Sequence, residues 1–246
     1  MYRNILIVSD NFFLINAFQS LVEGINGIDV SYTCSKSNIA LLENKLLKVK
    51  IEPIELKKNY LEVIKKYDLV FSLHCKQLFP NELVHSVKCI NVHPGLNPYN
   101  RGWFPQVFSI LNVMKAGATI HEIDEQLDHG AIIAQKEIII EKWDTSLTAY
   151  NKIQAAEIEL LKENLPSILE GNYKSNHAKE EGNVNLKKDF NALCVIDLEK
   201  QVTMNEAIDY LRAMTHGHYK NAYFIDKETE KKVFVSIDLK PESENY

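Results

Sequence analysis

Short apolar runs alternate with helix-like segments along the first part of this chain. The first run, residues 4–10 (NILIVSD), is almost continuously apolar, which is typical of a strand buried on both faces of a parallel sheet. From residue 12 to residue 23 apolar side chains recur every three or four positions, and Gly24 ends that pattern. This alternation of strand and helix predicts an α/β fold.

The same patterns predict the rest of a Rossmann-like, mostly parallel sheet with flanking helices. Further strands are predicted at residues 28–34, 51–54, 68–73, 88–92, 118–122 and 131–140. Helices are predicted at residues 37–47, 60–66, 81–86, 106–116 and 146–169. Residues 172–188 contain few apolar side chains, and we expect them to form a connector.

A smaller set of elements follows the connector. A strand is predicted at residues 193–198, and Thr203 and Glu206 have the spacing of a capping box that opens a helix ending at Met214. Residues 221–225 and 233–239 are predicted to pair as a β-hairpin. The chain is therefore predicted to consist of an N-terminal α/β domain, residues 1–185, and a small C-terminal α+β subdomain, residues 186–246.

Composition excludes several classes of protein. With 28 basic and 33 acidic residues the net charge is −5, and no basic stripe suggests a nucleic-acid partner. No segment reaches the roughly 18 apolar residues of a membrane span, and the first apolar run is too short for a signal peptide. The four cysteines, Cys34, Cys75, Cys89 and Cys194, show no paired spacing, so neither a disulfide framework nor a zinc site is predicted. We expect a cytoplasmic protein.

Residues 91–106 (NVHPGLNPYNRGWFPQ) form a polar, proline-rich loop after the strand predicted at residues 88–92. Loops at the carboxyl ends of strands are where open α/β sheets bind ligands. Asn91 and His93 are two positions apart, so their side chains leave the strand on the same face. An amide donor beside an imidazole suits an oxygen that gains negative charge. A capping asparagine and a surface histidine are the equally weighted alternative.

Asp128 is a candidate partner for His93. A carboxylate beside an imidazole orients the ring and raises its affinity for a proton. The alternative is an Asx turn that leads into Gly130. The spacing alone favours the turn, because it does not bring Asp128 to His93.

Asn91-x-His93-Pro94 followed by Asp128-x-Gly130 resembles the formyltransferases that use 10-formyltetrahydrofolate, over residues 1–171. The resemblance implies direct formyl transfer to an amine without a metal. It implies that Asn91 and a protonated His93 stabilise the oxyanion, while Asp128 supports His93 and accepts a proton. It also implies a pterin site at Lys76, Gln77, Leu78, Asp124 and Leu127. Otherwise Lys76 would be a solvated lysine and Leu78 a core residue.

Three branches of that family differ in the amine they formylate. Glycinamide ribonucleotide enzymes carry a glycine-rich phosphate turn after the first strand, where this chain has Ser9-Asp10-Asn11-Phe12-Phe13. Methionyl-tRNA enzymes carry a larger basic C-terminal barrel, whereas this tail is short and balanced in charge. The run HPGLNPYNRGWFPQVFSI resembles the sugar N-formyltransferases that act on dTDP-linked 4-amino-4,6-dideoxyhexoses, with dTDP-4-amino-4,6-dideoxyglucose the closest match.

This branch implies contacts between the chain and the sugar nucleotide. The implied substrate residues are Asn11, Asn97, Tyr99, Arg101, Trp103 and Tyr219, with Arg101 facing the diphosphate and either Tyr219 or Tyr223 stacking on the base. Trp103 is equally suited to anchor the loop on the core. A homodimer and a role in making a formylated surface polysaccharide, such as lipopolysaccharide O-antigen, are also implied.

Several alternatives stay open on the sequence. The sugar is gluco or galacto, and its amine is at C3 or C4. A phosphoribosylglycinamide formyltransferase, or a non-catalytic sugar-nucleotide binding protein on the same fold, is the alternative function.

Overall fold

A seven-stranded sheet forms the centre of the computed structural model, which describes residues 1–40 and 49–242. The strands of the chain are β1 (Asn4–Ser9), β2 (Asp29–Ser35), β3 (Ile51–Ile54), β4 (Leu69–Leu73), β5 (Lys88–His93), β6 (Arg101–Gly102), β7 (Ala116–Glu122), β8 (Ile132–Ile138), β9 (Val184–Asn185), β10 (Ala222–Ile225) and β11 (Lys232–Val235). The helices are α1 (Phe12–Val22), α2 (Leu56–Lys66), α3 (Asn81–Ser86), α4 (Pro105–Leu111), α5 (Ser146–Glu170), α6 (Lys187–Leu193) and α7 (Met204–Met214).

The large sheet has the strand order β3-β2-β1-β4-β5-β7-β8. The first five of these strands are parallel, and β7 and β8 continue the sheet antiparallel. The α/β prediction with a mostly parallel sheet is therefore confirmed. From β1 the chain builds outward to β3 and then returns to β4 on the other side of β1, so the topological switch point lies between β1 and β4.

Helices cover both faces of the sheet, and β1 shows how its sequence fits that position. Its side chains alternate, with Ile5 and Ile7 in one apolar cluster and Leu6 and Val8 in the other. The first cluster includes buried residues of α1 and α5, and the second includes residues of α2 and α3. A strand covered on both sides has no polar face, which explains its continuous apolar run.

The C-terminal elements pack on α4. Phe190 of α6, Met214 of α7 and Ala222 of β10 share one buried cluster with Val107 and Phe108. The hairpin β10–β11 is antiparallel, as predicted. No helix among the described residues is long and apolar enough to cross a membrane.

Two predicted elements are wrong in their extent or type. The helix predicted at residues 106–116 ends at Leu111, and β7 begins at Ala116. Gly117 does not end a helix but lies within β7. A β-carbon there would lie 2.1 Å from the carbonyl oxygen of Lys136 on β8, so only glycine allows the two strands to approach this closely. The strand predicted at residues 193–198 is absent: Leu193 ends α6, and Val195 makes only an isolated bridge to Tyr223.

The predicted connector at residues 172–188 contains β9 and the start of α6. The helix is capped where Asp189 accepts a hydrogen bond from the backbone N–H of Leu186. β9 pairs with β6, which lies within the polar loop after β5. The helix predicted at residues 37–47 falls mainly on residues 41–48, which lie outside the described residues, and Lys36–Asn38 forms a 3-10 turn.

Candidate active site

Asn91, His93 and Asp128 form one contiguous group at the end of β5. The Nδ2 of Asn91 donates to Asp128 Oδ1 at 2.9 Å, and His93 Nδ1 lies 3.4 Å from Asp128 Oδ2. His93 is 3% exposed, and its Nε2 is buried without a hydrogen-bond partner. The contact between Asp128 and His93, which the sequence left open, is thus present.

The backbone of Asp128 adopts the left-handed region, with φ at 49°. A non-glycine residue seldom adopts this conformation unless its surroundings enforce it. Two hydrogen bonds do so here: Asn97 Nδ2 donates to the Asp128 carbonyl at 2.8 Å, and the Gly102 N–H donates to Oδ2 at 3.0 Å. The polar loop therefore fixes the carboxylate that faces His93.

The pKa values of His93 and Asp128 both depart from their ordinary values. Burial, partly opposed by the Asp128 carboxylate, lowers the pKa of His93 to about 4. Burial also raises the pKa of Asp128, but His93, His121 and the Gly102 N–H outweigh it and hold that pKa well below its usual range. In the free protein burial thus favours a neutral imidazole beside a carboxylate, and the protonated His93 expected beside the oxyanion stays a prediction.

His121 on β7 is a site residue that the sequence reasoning missed. It is 1% exposed, lies opposite Asn91 in the register, and its Nδ1–H donates to the Glu122 carbonyl at 2.6 Å. Its Nε2 therefore accepts from Asn91 Nδ2, at 3.2 Å. The pairing of β7 with β8 shifts between Ile120 and His121, and such bulges re-aim side chains near sites. The signal in the sequence is a histidine inside a buried strand.

Thr119, two residues before His121, supports the loop from the same face of β7. Its hydroxyl donates to the Gly95 carbonyl at 2.7 Å and accepts from the Asn97 N–H at 3.1 Å. Gln135 Nε2 donates to the Asn97 carbonyl at 2.6 Å. These bonds hold the turn between His93 and Asn97 against the sheet.

Residues 180–186 cover the polar loop, and we call this segment the strap. Arg101 N–H donates to the Asn183 carbonyl at 3.0 Å, and Trp103 N–H donates to the Asn185 carbonyl at 2.8 Å. The buried Asn100 Oδ1 accepts from the side-chain amides of Asn183 and Asn185. The strap thereby fixes the segment whose Gly102 N–H holds Asp128.

The predicted substrate residues of this loop are engaged within the chain. Tyr99 donates to Glu180 at 3.1 Å, and the buried Arg101 pairs with Glu181 at 2.8 Å through Nη2, leaving its Nε without a partner. The Trp103 ring packs near Phe104 and lies 5.3 Å from the Lys187 ammonium. Arg101 already pairs with Glu181, so the proposed contact between Arg101 and a diphosphate stays a prediction.

Asn11 and Tyr219 lie elsewhere, on either side of Tyr150. Asn11 caps α1 through Oδ1, and its Nδ2 donates to the Tyr150 hydroxyl at 3.1 Å. Tyr219 is 62% exposed, and its ring lies 5.7 Å from that of His216, which in turn lies 5.7 Å from Tyr150. Asn11 and Tyr219 are thus connected through Tyr150 and His216.

A cavity of about 580 Å³ lies beside the loop that carries Asp128. Its lining comprises Val84, His85, Ser86, Val87, Lys88, Cys89, Glu122, Ile123, Asp124, Glu125 and Gln126. Most of these side chains are polar or charged, and Val84, Val87, Cys89 and Ile123 are the apolar ones. Of the residues expected at the pterin, Asp124 lines this cavity, and Leu127 lies within van der Waals reach of Gly102.

The other residues expected at the pterin lie after β4. Gln77 has its side-chain amide fully bonded: Oε1 accepts from the Leu56 N–H, and Nε2 donates to Ser35 and to the Ile54 carbonyl. Leu78 is 79% exposed rather than buried in the core, and the Lys76 N–H donates to Asp10. Leu78 is thus free to cover a ligand, whereas the Gln77 side chain holds β2 and β3 in place.

No group of His, Cys, Asp or Glu side chains within residues 1–40 and 49–242 is arranged to hold a metal ion.

Comparison with known proteins places the site in context. Residues 35–165 match the family model described as formyl transferase, and residues 189–241 match the N-formyltransferase dimerization C-terminal domain. A dTDP-4-amino-4,6-dideoxyglucose formyltransferase of Mycobacterium tuberculosis is 52% identical over 181 residues, which are 74% of this chain and 77% of that protein.

Solved structures agree with these matches. The crystal structure of a 4-N formyltransferase from Francisella tularensis superposes with a TM-score of 0.93 at 48% identity, covering 97% of this chain and 98% of that one. An N-formyltransferase from Helicobacter canadensis, solved with folinic acid and dTDP-3-aminofucose, has a TM-score of 0.69 at 23% identity. That similarity covers 86% of this chain and 80% of the other, and it shows a shared fold.

Proposed function

Because the chain belongs to the formyl transferase family, we propose that it moves a formyl group from 10-formyltetrahydrofolate to the amine of a dTDP-linked 4-amino-4,6-dideoxyhexose, most closely dTDP-4-amino-4,6-dideoxyglucose. One observation carries the proposal. His93 presents a buried, unpartnered Nε2 while its other nitrogen faces the Asp128 carboxylate. A neutral imidazole backed by a carboxylate is suited to take a proton from an attacking amine.

His93, Asp128 and Asn91 have separate roles in the proposed transfer. The folate would supply an electrophilic formyl carbon, and we place its pterin at the cavity lined by Asp124. The amine nitrogen would bond to that carbon, and the bond from the carbon to N10 of the folate would break. His93 would accept the amine proton at Nε2 and pass it to the departing N10, while Asp128 stabilises the intervening imidazolium. Asn91 donates to Asp128 and His121 in the free protein, so its amide must exchange one of these partners to donate to the carbonyl oxygen of the formyl group.

The remaining features extend the proposal to the assembly. Two copies form a homodimer through the C-terminal domain, which we set at residues 186–246. Exposed apolar side chains there, including Met204, Val195 and Leu198, are available to be buried in such an interface. We also infer that the protein works in the cytoplasm.

Acceptor competition tests the function. Purified protein receives 10-formyltetrahydrofolate with dTDP-4-amino-4,6-dideoxyglucose, its galacto epimer, a 3-amino isomer or glycinamide ribonucleotide, and the formylated product is measured. We expect the gluco 4-amine to give the highest kcat/KM, and a preference for glycinamide ribonucleotide would overturn the assignment. Ligand binding without product would instead identify a binding protein.

Variants of the three residues test the mechanism. We expect Asn91→Ala, His93→Ala and Asp128→Ala each to lower kcat at least about 100-fold, in the range of removed acid–base or oxyanion groups. Asp197→Ala, which removes the carboxylate of an exposed turn, is the matched control and should keep full turnover. Normal turnover in any of the three variants would remove that residue from the mechanism.

A further inference from the structure

Four polar side chains outside the catalytic group meet at the topological switch point. Asn11 follows β1, His74 follows β4, and Tyr150 and Glu157 come from α5; we call them the Tyr150 cluster. Open α/β sheets bind ligands in the crevice outside the strand ends at this point. The cluster thus lies where the topology predicts a ligand, yet the formyl-transfer group uses none of it.

Glu157 is the innermost member of the Tyr150 cluster. It is 0% exposed, and its Oε1 lies 2.7 Å from His74 Nε2. Burying a carboxyl group costs free energy unless the group is paired, so a buried carboxyl group indicates a specific role. Among the described residues its one hydrogen-bond partner is His74, whose ring it orients, and its Oε2 is buried without a partner.

The bond to Glu157 fixes the hydrogen bonding of His74. With Nε2–H donating to Glu157, Nδ1 accepts the Tyr150 hydroxyl proton at 3.0 Å, and Asn11 Nδ2 donates to the same hydroxyl oxygen at 3.1 Å. His74 also has a left-handed backbone, with φ at 57°, which a non-glycine residue keeps only when its neighbours enforce it. The Tyr150 hydroxyl is therefore held in one position.

Two further rings, those of His216 and Tyr219, extend from Tyr150. His216 stacks obliquely against Tyr150 and is fixed by Ser146, and the exposed Tyr219 follows it. On the other side, β4 pairs with β5 so that Leu73 lies opposite Val92, which places His74 and His93 at the same end of adjacent strands. The Tyr150 cluster therefore lies beside the site where the amine would react.

We propose that Tyr150 and Asn11 bind a ring hydroxyl of the acceptor hexose, with His74 and Glu157 as positioning residues. This rests on the function proposed above and adds the residues that recognise the sugar. A hydroxyl both donates and accepts, which matches a tyrosine hydroxyl beside an asparagine amide. The cluster has no lysine or arginine and includes a carboxyl group, so it does not compensate the charge of a diphosphate.

Tyr150→Phe tests the contact directly. Losing one hydrogen bond of ordinary strength should raise KM for the dTDP-amino sugar about tenfold. We expect kcat to change less than about twofold and the inhibition constant of dTDP alone to stay the same. An unchanged KM would overturn the proposal, as would an equal loss of dTDP affinity, which would place the diphosphate at the cluster.

The positioning role needs a pair of variants. Glu157→Gln keeps an oxygen that accepts from His74 and should keep KM near the wild-type value, whereas Glu157→Leu should raise KM as Tyr150→Phe does. Tyr210→Phe removes a hydroxyl that is bonded to the Leu193 carbonyl in the C-terminal domain and serves as the control with unchanged KM. Thermal unfolding of each variant separates a folded, weak binder from an unfolded one. If Glu157→Leu does not fold, a raised KM in His74→Ala replaces it as support, and an unchanged KM there contradicts the role.

The two proposals fail in different ways. Wild-type protein without formyl transfer to any dTDP-amino sugar overturns the proposed function and with it this inference. Normal wild-type turnover together with an unaltered KM in Tyr150→Phe overturns only the assignment of the Tyr150 cluster.

Discussion

Gly95 lies directly against the edge of the His93 ring. A β-carbon added at position 95 would stand 2.5 Å from Nε2 and 2.8 Å from Cδ2. Both separations are shorter than real side-chain contacts, so the imidazole and any residue larger than glycine cannot occupy these positions together. The glycine two residues after His93 therefore keeps space free around the one ring nitrogen that has no partner.

We expect Gly95→Ala to fold but to lower kcat/KM at least tenfold, because the displaced ring no longer aligns Nε2 with the amine. Gly24→Ala is the control: nothing lies within 4 Å of its added methyl, but its φ of 84° makes alanine strained. That variant should lose about 1 kcal/mol of stability and keep its activity. An active Gly95→Ala enzyme would contradict this account of the ring's position.

The imidazole of His93 should titrate near pH 4, since burial lowers its pKa to about that value. The unfolded chain binds this proton below about pH 6.5, whereas the native chain binds it only near pH 4. The contribution of His93 to stability is therefore greatest above pH 6.5 and falls as pH drops from 6.5 to 4. Long-range ¹H–¹⁵N spectra follow the ring directly. His93→Gln should reduce the fall in unfolding free energy in this window, and a ring that titrates near 6.5 would contradict this account by showing that Asp128 fully offsets burial.

Replacing His121 should lower kcat through Asn91 rather than through substrate binding. His121→Ala removes the acceptor that would still orient the Asn91 amide when its bond to Asp128 is exchanged for the formyl oxygen. That bond contributes about 1 kcal/mol, so we expect a kcat about fivefold lower with little change in KM. His121→Gln supplies a carbonyl acceptor and should recover part of the rate. An equal rise in KM for both substrates would instead indicate general loosening of β7.

The strap should contribute to stability through Asn100. Asn100→Ala leaves the amides of Asn183 and Asn185 without their shared acceptor and places alanine at a φ of 52°, so we expect a loss of roughly 1–3 kcal/mol. Urea unfolding measures the loss. Tyr99→Phe, which removes one bond to the exposed Glu180, should cost less than about 0.5 kcal/mol. Equal stability of the two variants would show that the strap does not depend on Asn100.

Some elements were predictable because they depend on neighbours along the chain. The run around Ile7 identifies a buried parallel strand, and Asn91 with His93 identifies a functional face, because side chains alternate along any strand. The end of α4 was not predictable in the same way. Gly117 resembles a helix stop in the sequence, but its small size serves a close approach to Lys136 on another strand.

The polar loop, residues 91–106, shows most clearly which features depend on the sequence alone and which depend on the tertiary structure. Its sequence predicted a site here and the residue types proposed for the chemistry, since these predictions follow from residue identity and local spacing. Only the tertiary structure decided that Asp128 reaches His93, that burial lowers the pKa of this imidazole despite the carboxylate, and that Arg101 pairs with Glu181. Contacts between residues 26 to 80 positions apart, and the desolvation that accompanies them, arise only when the chain is folded.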